Sequence, residues 1–422
     1  MKIDIVAPPF SGHLYPLVEL VTPLKDHPDY EFRFLTGPNK VPLLRSLGFA
    51  AAPILADDPE AFERIANPKE VVGNDPRALY AQFREPLALF PRVMEELRGH
   101  FTARETELVI ADFVAVPAGV VCSSLGLPWI TTMPTPFAVE TRTGTPSYMG
   151  GLMHASGPMS KLRDFFARGV VRAFKTLVGL LCRKEFRRWG IRVYRPDGSE
   201  MAYSPYAILG LGMEEFEFPR DWPGCFRFAG PCCASPTTLD GLEFPEEGFS
   251  RRVLVTLGTH IFWAKEDLIE KVRWLAAQRP EVLFVIALNK ELPDTAGLPD
   301  NVQVFETIPY TQYLSQFDAV IHHGGAGITY NCVRYEKPSL VVPHDYDQFD
   351  FAARIVFNEV GLQAGTIDSV EALAALDALL DNPFADRLRT LRQDFLAYDP
   401  SAALEAEIKR LAPTLSSRAG QE

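Results

Sequence analysis

The chain has 422 residues, long for one hydrophobic core and suited to two domains. Hydrophobic residues make up 47% and charged residues 23%, the balance of a globular chain rather than a disordered or fibrous one. A net charge of −12 excludes phosphate-backbone binding as the main task, so nucleic acid is not an expected partner.

The N-terminal MKIDIVAPPF lacks the apolar core and cleavage site of a signal peptide. Residues 3–7 predict a strand, and a helix begins near His13. Further strands are predicted at 31–36, 51–55, 108–111 and 129–133, with a helical apolar pattern at 77–97. Short apolar strands alternating with helices predict an α/β fold whose parallel sheet is covered on both faces.

Residues 161–190 form a basic amphipathic pattern with Phe166, Val170, Phe174, Leu177 and Leu181 along one stripe. The preferred reading is a surface helix whose apolar stripe packs on its own domain. The other reading is peripheral contact with an anionic membrane. No run of 18 apolar residues offers a transmembrane helix.

Between 220 and 250 the chain gathers Pro223, Pro231, Pro236 and Pro245 with several glycines. This reads as a domain end and a linker. Strand and helix patterns then restart: strands at 253–257, 282–288, 302–305, 319–322 and 339–343, helices at 265–277 and 326–334. The expected organisation is a first domain at 1–235, a linker at 236–250 and a second domain at 251–395, with a cleft between the domains. A C-terminal helix at 396–422 is expected to pack back on the first domain. The six cysteines contain no C-x-x-C pair and predict a reducing, cytoplasmic setting.

HHGGAG, residues 322–327, carries the most chemistry. Adjacent histidines on a strand point to opposite faces, so His322 and His323 make a poor metal site, and no metal is expected. The turn follows a strand and opens a helix, where backbone N–H groups and the dipole favour an anion. Glycines let a phosphate approach the backbone closely. A second strand, SLVVP, ends at the polar loop HDYDQ. In a parallel sheet both turns lie at the carboxyl edge, and together they suit a nucleoside diphosphate carrying a sugar. One of the two histidines can donate to a phosphate oxygen.

The stretch resembles the donor-site signature of the family 1 glycosyltransferases. Its elements occur in order as His323-Gly324-Gly325-Ala326-Gly327, Pro338, Pro343, Asp347-Gln348 and Ala352. Ser11-Gly12-His13-Leu14-Tyr15-Pro16 is similar to the family's turn after the first strand, and Val255 to Thr259 to the turn that opens its donor domain. The resemblance is closest to the bacterial branch that modifies natural products and lipids. It implies the GT-B fold, two facing Rossmann-like domains around a cleft.

The resemblance also implies roles. His13 would be the general base and Asp112 the carboxylate that orients it, a task that suits an imidazole with near-neutral pKa. By residue type alone His13 could equally cap a helix and Asp112 could be a turn residue. Donor binding would fall to His323, Gly325, Gly327, Thr329, Asn331, Asp347, Gln348 and Thr259. Asn331 stands where the family often carries the glutamate that binds ribose. Met133, Thr135 and Phe137 are expected at the acceptor pocket, with core packing as the other reading.

The function these residues imply is a hexosyltransferase. It would move a hexose or deoxyhexose from a UDP- or dTDP-sugar to a hydroxyl of a lipophilic small molecule, with inversion and without metal or cofactor. Alternatives are a sugar-nucleotide epimerase of similar fold and a non-catalytic protein that binds the sugar nucleotide.

Overall fold

The computed structural model describes residues 1–66, 76–245, 248–258, 265–290, 292, 297–345 and 347–416. Strands β1 (Lys2–Val6), β2 (Glu31–Thr36), β3 (Ala50–Pro53), β4 (Leu108–Asp112), β5 (Trp129–Met133), β6 (Ala207–Gly210) and β7 (Phe226–Phe228) form one sheet in the order β3-β2-β1-β4-β5-β6-β7. Strands β8 (Arg251–Thr256), β9 (Val282–Ala287), β10 (Val302–Phe305), β11 (Ala319–His322), β12 (Ser339–Val341) and β13 (Gly361–Gln363) form a second, ordered β10-β9-β8-β11-β12-β13. The strand pairs in both sheets are parallel, as expected.

The sequence explains this architecture directly. The central strands are near-continuous apolar runs, and every residue of β9, VLFVIA, is buried, as a sheet covered on both faces requires. The pattern does not predict β6, β7 or β13, which have only four, three and three residues. Strands this short carry too few positions to show a period.

In each sheet the strand order reverses once, between β1 and β4 and between β8 and β11. The loops leaving the carboxyl ends of those strands diverge, and the crevice between them is where ligands bind in open α/β sheets. His13 follows β1 and Asp112 ends β4. Gly258 follows β8 and His323 follows β11. All four therefore lie at the two reversal points.

At the opposite edge, Asp4 of β1 is fully buried and satisfied by Arg33, Arg104 and Thr106 at 2.6–2.8 Å. Arg104 is the last residue of the helix Pro76–Arg104. The cluster thus ties that long helix to the centre of the sheet, away from the reversal point.

The two halves share an interior. Phe137, Met213 and Phe216 of the first pack with Tyr330, Phe351 and Leu391 of the second. The helix Pro400–Ser416 returns to the first sheet, where Leu404, Ile408 and Leu411 enter the same core as Ile3, Ile5 and Leu17. The Ser401 hydroxyl donates to the carbonyl of Leu20 at 2.8 Å.

One expectation is reversed. The helix Pro158–Leu181 does not bury its apolar stripe, because Phe166, Val170 and Leu177 are all more than half exposed. Its polar side faces the domain instead: Asp164 is buried, and Arg172 and Lys175 pair with Glu140 and Glu200. Ion pairs and hydrogen bonds to loop carbonyls hold this helix, not apolar packing.

Candidate active site

A cleft of about 1640 Å³ runs between the two reversal points and is lined from both halves. On the first side, His13 sits in the opening turn of the helix Ser11–Val21. Its Nδ1 lies 3.0 Å from Asp112 Oδ1. The ring is held between Phe113, stacked at 5.6 Å, and the edge of Phe10, at 6.2 Å. Asp112 is buried, and its Oδ1 also accepts from the Val114 N–H at 3.1 Å. Its Oδ2 has no hydrogen-bond partner among the described residues. A carboxylate so poorly solvated depends on the imidazole for compensation. Burial alone would lower the His13 pKa. The charge and hydrogen bond of Asp112, with the charge of Asp347, outweigh it and leave the pKa raised.

On the second side, His322 is fully buried and accepts the Gly324 N–H on Nδ1 at 3.0 Å. Burial, with the neighbouring His323, pushes its pKa down to about 3, so it stays neutral and braces the turn. The His323 ring is seated between two glycines. A Cβ on Gly258 would lie 2.7 Å from its Cε1, and one on Gly325 would lie 2.5 Å from its Nε2. Neither position can carry a side chain while the imidazole keeps this place. Gly324 has φ +93°, and a Cβ there would meet the Gln348 carbonyl oxygen at 2.9 Å. The turn thus presses against the next loop. The helix Ala326–Arg334 starts at this point, and Gly325 and Gly327 line the cleft at its N-terminus.

The loop after β12 completes that wall. Asp347 precedes the helix Gln348–Phe357, but its side chain makes no capping bond to it. It lines the cleft instead, where burial raises its pKa to about 6. Gln348 Oε1 accepts from the His344 and Asp345 N–H groups at 2.8 and 3.2 Å. Its oxygen is therefore used by the turn, and its NH₂ is the group suited to a ligand.

Several expectations need correction. Met133 is fully buried with Val139 and Ile208 and does not line the cleft. Phe137 is also buried, edge-on to Phe351 at 4.9 Å and 4.1 Å from the Arg354 guanidinium. Both are core residues. Thr135 does line the cleft. The Thr329 N–H donates to the Gly325 carbonyl within the helix, and its side chain is buried off the cleft. Asn331 is likewise buried, and its Nδ2 donates to the carbonyls of Cys233 and Gly327 at 2.7 and 2.8 Å. It clamps the two halves together rather than meeting a ribose. Thr259 lies outside the described residues.

Sequence reasoning missed the apolar wall. Leu87, Phe90, Val93 and Leu97, on the helix Pro76–Arg104, face the cleft beside Phe113. A helical apolar stripe carries no sign of whether it meets core or cavity. The stretch from Tyr148 to Met153 is another that the sequence offers for the acceptor pocket, and Tyr148 does line the cleft; its bond across the two halves was not foreseen. Its N–H donates to Asp350 Oδ2 of the other half at 2.8 Å, and its side chain lines the cleft. Among the described residues no group of three or more His, Cys, Asp or Glu is placed to hold a metal ion, and no helix is long and apolar enough to cross a membrane.

Two parallel-sheet halves face across a cleft in the GT-B arrangement, with an imidazole–carboxylate pair on one wall and a glycine-seated histidine at a helix N-terminus on the other. The family described as erythromycin biosynthesis protein CIII-like, C-terminal domain, matches residues 274–408. The zeaxanthin glucosyltransferase of Pseudescherichia vulneris is 24% identical over 397 residues, covering 92% of each chain. The solved glycotransferase of kitacinnamycin superposes with a TM-score of 0.75 at 23% identity, over 97% of this chain and 98% of that one. The spinosyn rhamnosyltransferase complexed with thymidine diphosphate gives 0.65 at 22% identity, over 96% and 99%. The chain is thus similar to glycosyltransferases that act in bacterial natural-product and carotenoid glycosylation, and it shares their GT-B fold.

Proposed function

We propose that the enzyme transfers a hexose or deoxyhexose, with inversion, from a UDP- or dTDP-sugar to a hydroxyl of a lipophilic small molecule. The observation that carries this reading is the pair His13–Asp112, 3.0 Å apart, on one wall of a cleft whose other wall holds His323, Gly325, Gly327 and Asp347. The first half, 1–235, would hold the acceptor against Leu87, Phe90, Val93 and Phe113. The second, 251–395, would hold the donor. The solved relative that carries thymidine diphosphate supports a nucleoside diphosphate in such a cleft.

A neutral His13 that donates from Nδ1 to Asp112 keeps its lone pair on Nε2. In the reaction the acceptor oxygen attacks the anomeric carbon and its proton passes to Nε2. The bond from that carbon to the diphosphate oxygen breaks on the opposite face, and the electron pair leaves with the diphosphate. Asp112 then stabilises the imidazolium. The growing charge on the leaving group meets the N–H groups at the start of the helix Ala326–Arg334 and the His323 imidazole. Asp347 accepts from sugar hydroxyls and the Gln348 amide donates to them. This scheme assigns no role to a metal or cofactor, and the rate should be unchanged in EDTA. Six unpaired cysteines suit a reducing cytoplasm.

Purified His13→Ala should bind UDP or dTDP as the wild type does, by thermal shift, and transfer no sugar to any acceptor of a lipophilic panel. Full transfer by that variant would remove His13 from the role of base. An epimerase would convert donor without acceptor, and a binding protein would leave donor intact under all conditions. The His13–Asp112 pair favours neither alternative, since both lack an acceptor hydroxyl to deprotonate.

A further inference from the structure

The helix Pro158–Leu181 presents its apolar side outward. Phe166, Val170, Phe174, Leu177, Leu180 and Leu181 are between 45% and 63% exposed. They recur at helical spacing, so they form one continuous ridge. From Met159 to Leu181 the ridge runs about 33 Å. The next segment, RKEFRRWGIR at 183–192, carries Arg183, Lys184, Arg187, Arg188 and Arg192 against the single acid Glu185. All five basic side chains are exposed, and none makes an ion pair or hydrogen bond among the described residues. This local charge opposes the chain's overall −12. The basic residues of the preceding helix differ, because Arg163, Arg172 and Lys175 are engaged with Asp164, Glu140 and Glu200.

We propose that this ridge and the basic segment behind it dock on an anionic lipid bilayer. Apolar side chains would enter the acyl boundary while the free arginines and lysine meet headgroup phosphates. A bilayer accepts a convex ridge without a complementary groove. A second protein copy would gain little, since a ridge one helix wide offers on the order of 300–400 Å², against about 800 Å² per partner in a standard interface. The position of the ridge adds a functional link. Trp189, at the end of the basic helix Arg183–Trp189, packs 5.7 Å from Phe90, which lines the apolar wall of the cleft. Docking by this face would bring the acceptor side of the cleft to the membrane, so that an acceptor dissolved in the bilayer reaches His13. That last step rests on the lipophilic-acceptor reading, whereas the docking does not.

The test is co-sedimentation of the full chain with phosphatidylglycerol–phosphatidylcholine vesicles at low salt, with pure phosphatidylcholine as the control. The wild type should pellet with anionic vesicles only. Val170→Asp/Leu177→Asp and Arg187→Glu/Arg188→Glu should each weaken binding by at least about tenfold. Both pairs are exposed, and unchanged thermal unfolding would show that they fold. Transfer to a detergent-solubilised acceptor should be unaffected in both, which separates loss of docking from loss of catalysis. The proposal is overturned if the wild type stays in the supernatant with anionic vesicles, or if either variant pellets as well as the wild type. It is also overturned if light scattering finds a dimer that Val170→Asp/Leu177→Asp dissociates, which would assign the ridge to a second copy.

Discussion

Arg354 of the second half and Glu217 of the first meet in the shared interior, Nε to Oε2 at 2.8 Å, with both side chains almost completely removed from solvent. The guanidinium also lies 4.1 Å from the Phe137 ring centre and 4.4 Å from that of Phe218. A cation desolvated by two aromatic rings and paired across the interface leaves a buried charge if either partner is lost. Arg354→Met should therefore cost about 3–5 kcal/mol in urea unfolding. The double variant with Glu217→Gln should lose clearly less than the sum of the single losses, because the uncompensated charge is gone.

The coupling of His13 to Asp112 predicts a pH profile. With His13 as the proposed base, transfer needs the neutral imidazole, and the raised pKa delays its formation beyond the ordinary 6.5. The kcat/KM for acceptor at saturating donor should rise with pH through a midpoint above 6.5. Asp112→Asn removes the charge that raises this pKa. The midpoint should then move down while the plateau falls by about 10²–10⁴-fold.

The seat of His323 can be tested by a cycle. Gly325→Ala places a methyl group 2.5 Å from Nε2 and must displace the ring. Isothermal titration with UDP or dTDP should show at least about a tenfold loss of affinity, similar to that of His323→Ala. In the His323→Ala background the same Gly325 substitution should cost much less, since the group it displaces is absent.

Asp347, the proposed partner of the donor sugar, carries a stability cost. Its folded pKa of about 6 lies above the ordinary 3.8, so the fold disfavours the ionised form. The penalty is absent below the unfolded pKa, grows as pH rises from 3.8 and is complete above about 6. Asp347→Asn should accordingly raise the melting temperature of the ligand-free enzyme at pH 7.5, with the gain fading as pH falls from 6 towards 4. Its donor KM should rise at every pH.

Legibility in the sequence followed local punctuation. The strand at 319–322 and the helix at 326–334 coincide with the observed elements, because glycines mark the turn between them. The approach of His13 to Asp112 is not a matter of local spacing. It depends on β1 and β4 being neighbours at the reversal point, and only the family resemblance anticipated it. Met133 and Phe137 were misplaced because an apolar side chain reads alike in a cavity wall and in a core. Thr329 and Asn331 do not line the cleft although their helix neighbours Ile328 and Tyr330 do, a distinction set by which face of the helix meets the cleft. The period of residues 161–190 was evident. Its orientation was not, since Glu140 and Glu200, which draw the polar side inward, come from other segments of the chain.

The return of the helix Pro400–Ser416 bears on the order of folding. Leu404, Ile408 and Leu411 fill the core built by β1 and the helix Ser11–Val21, and Ser401 is bonded to Leu20 across 381 positions of chain. The first half to leave the ribosome therefore waits, with part of its apolar surface open, until residue 411 has been synthesised. The core of the first half is closed only once this helix has returned to it.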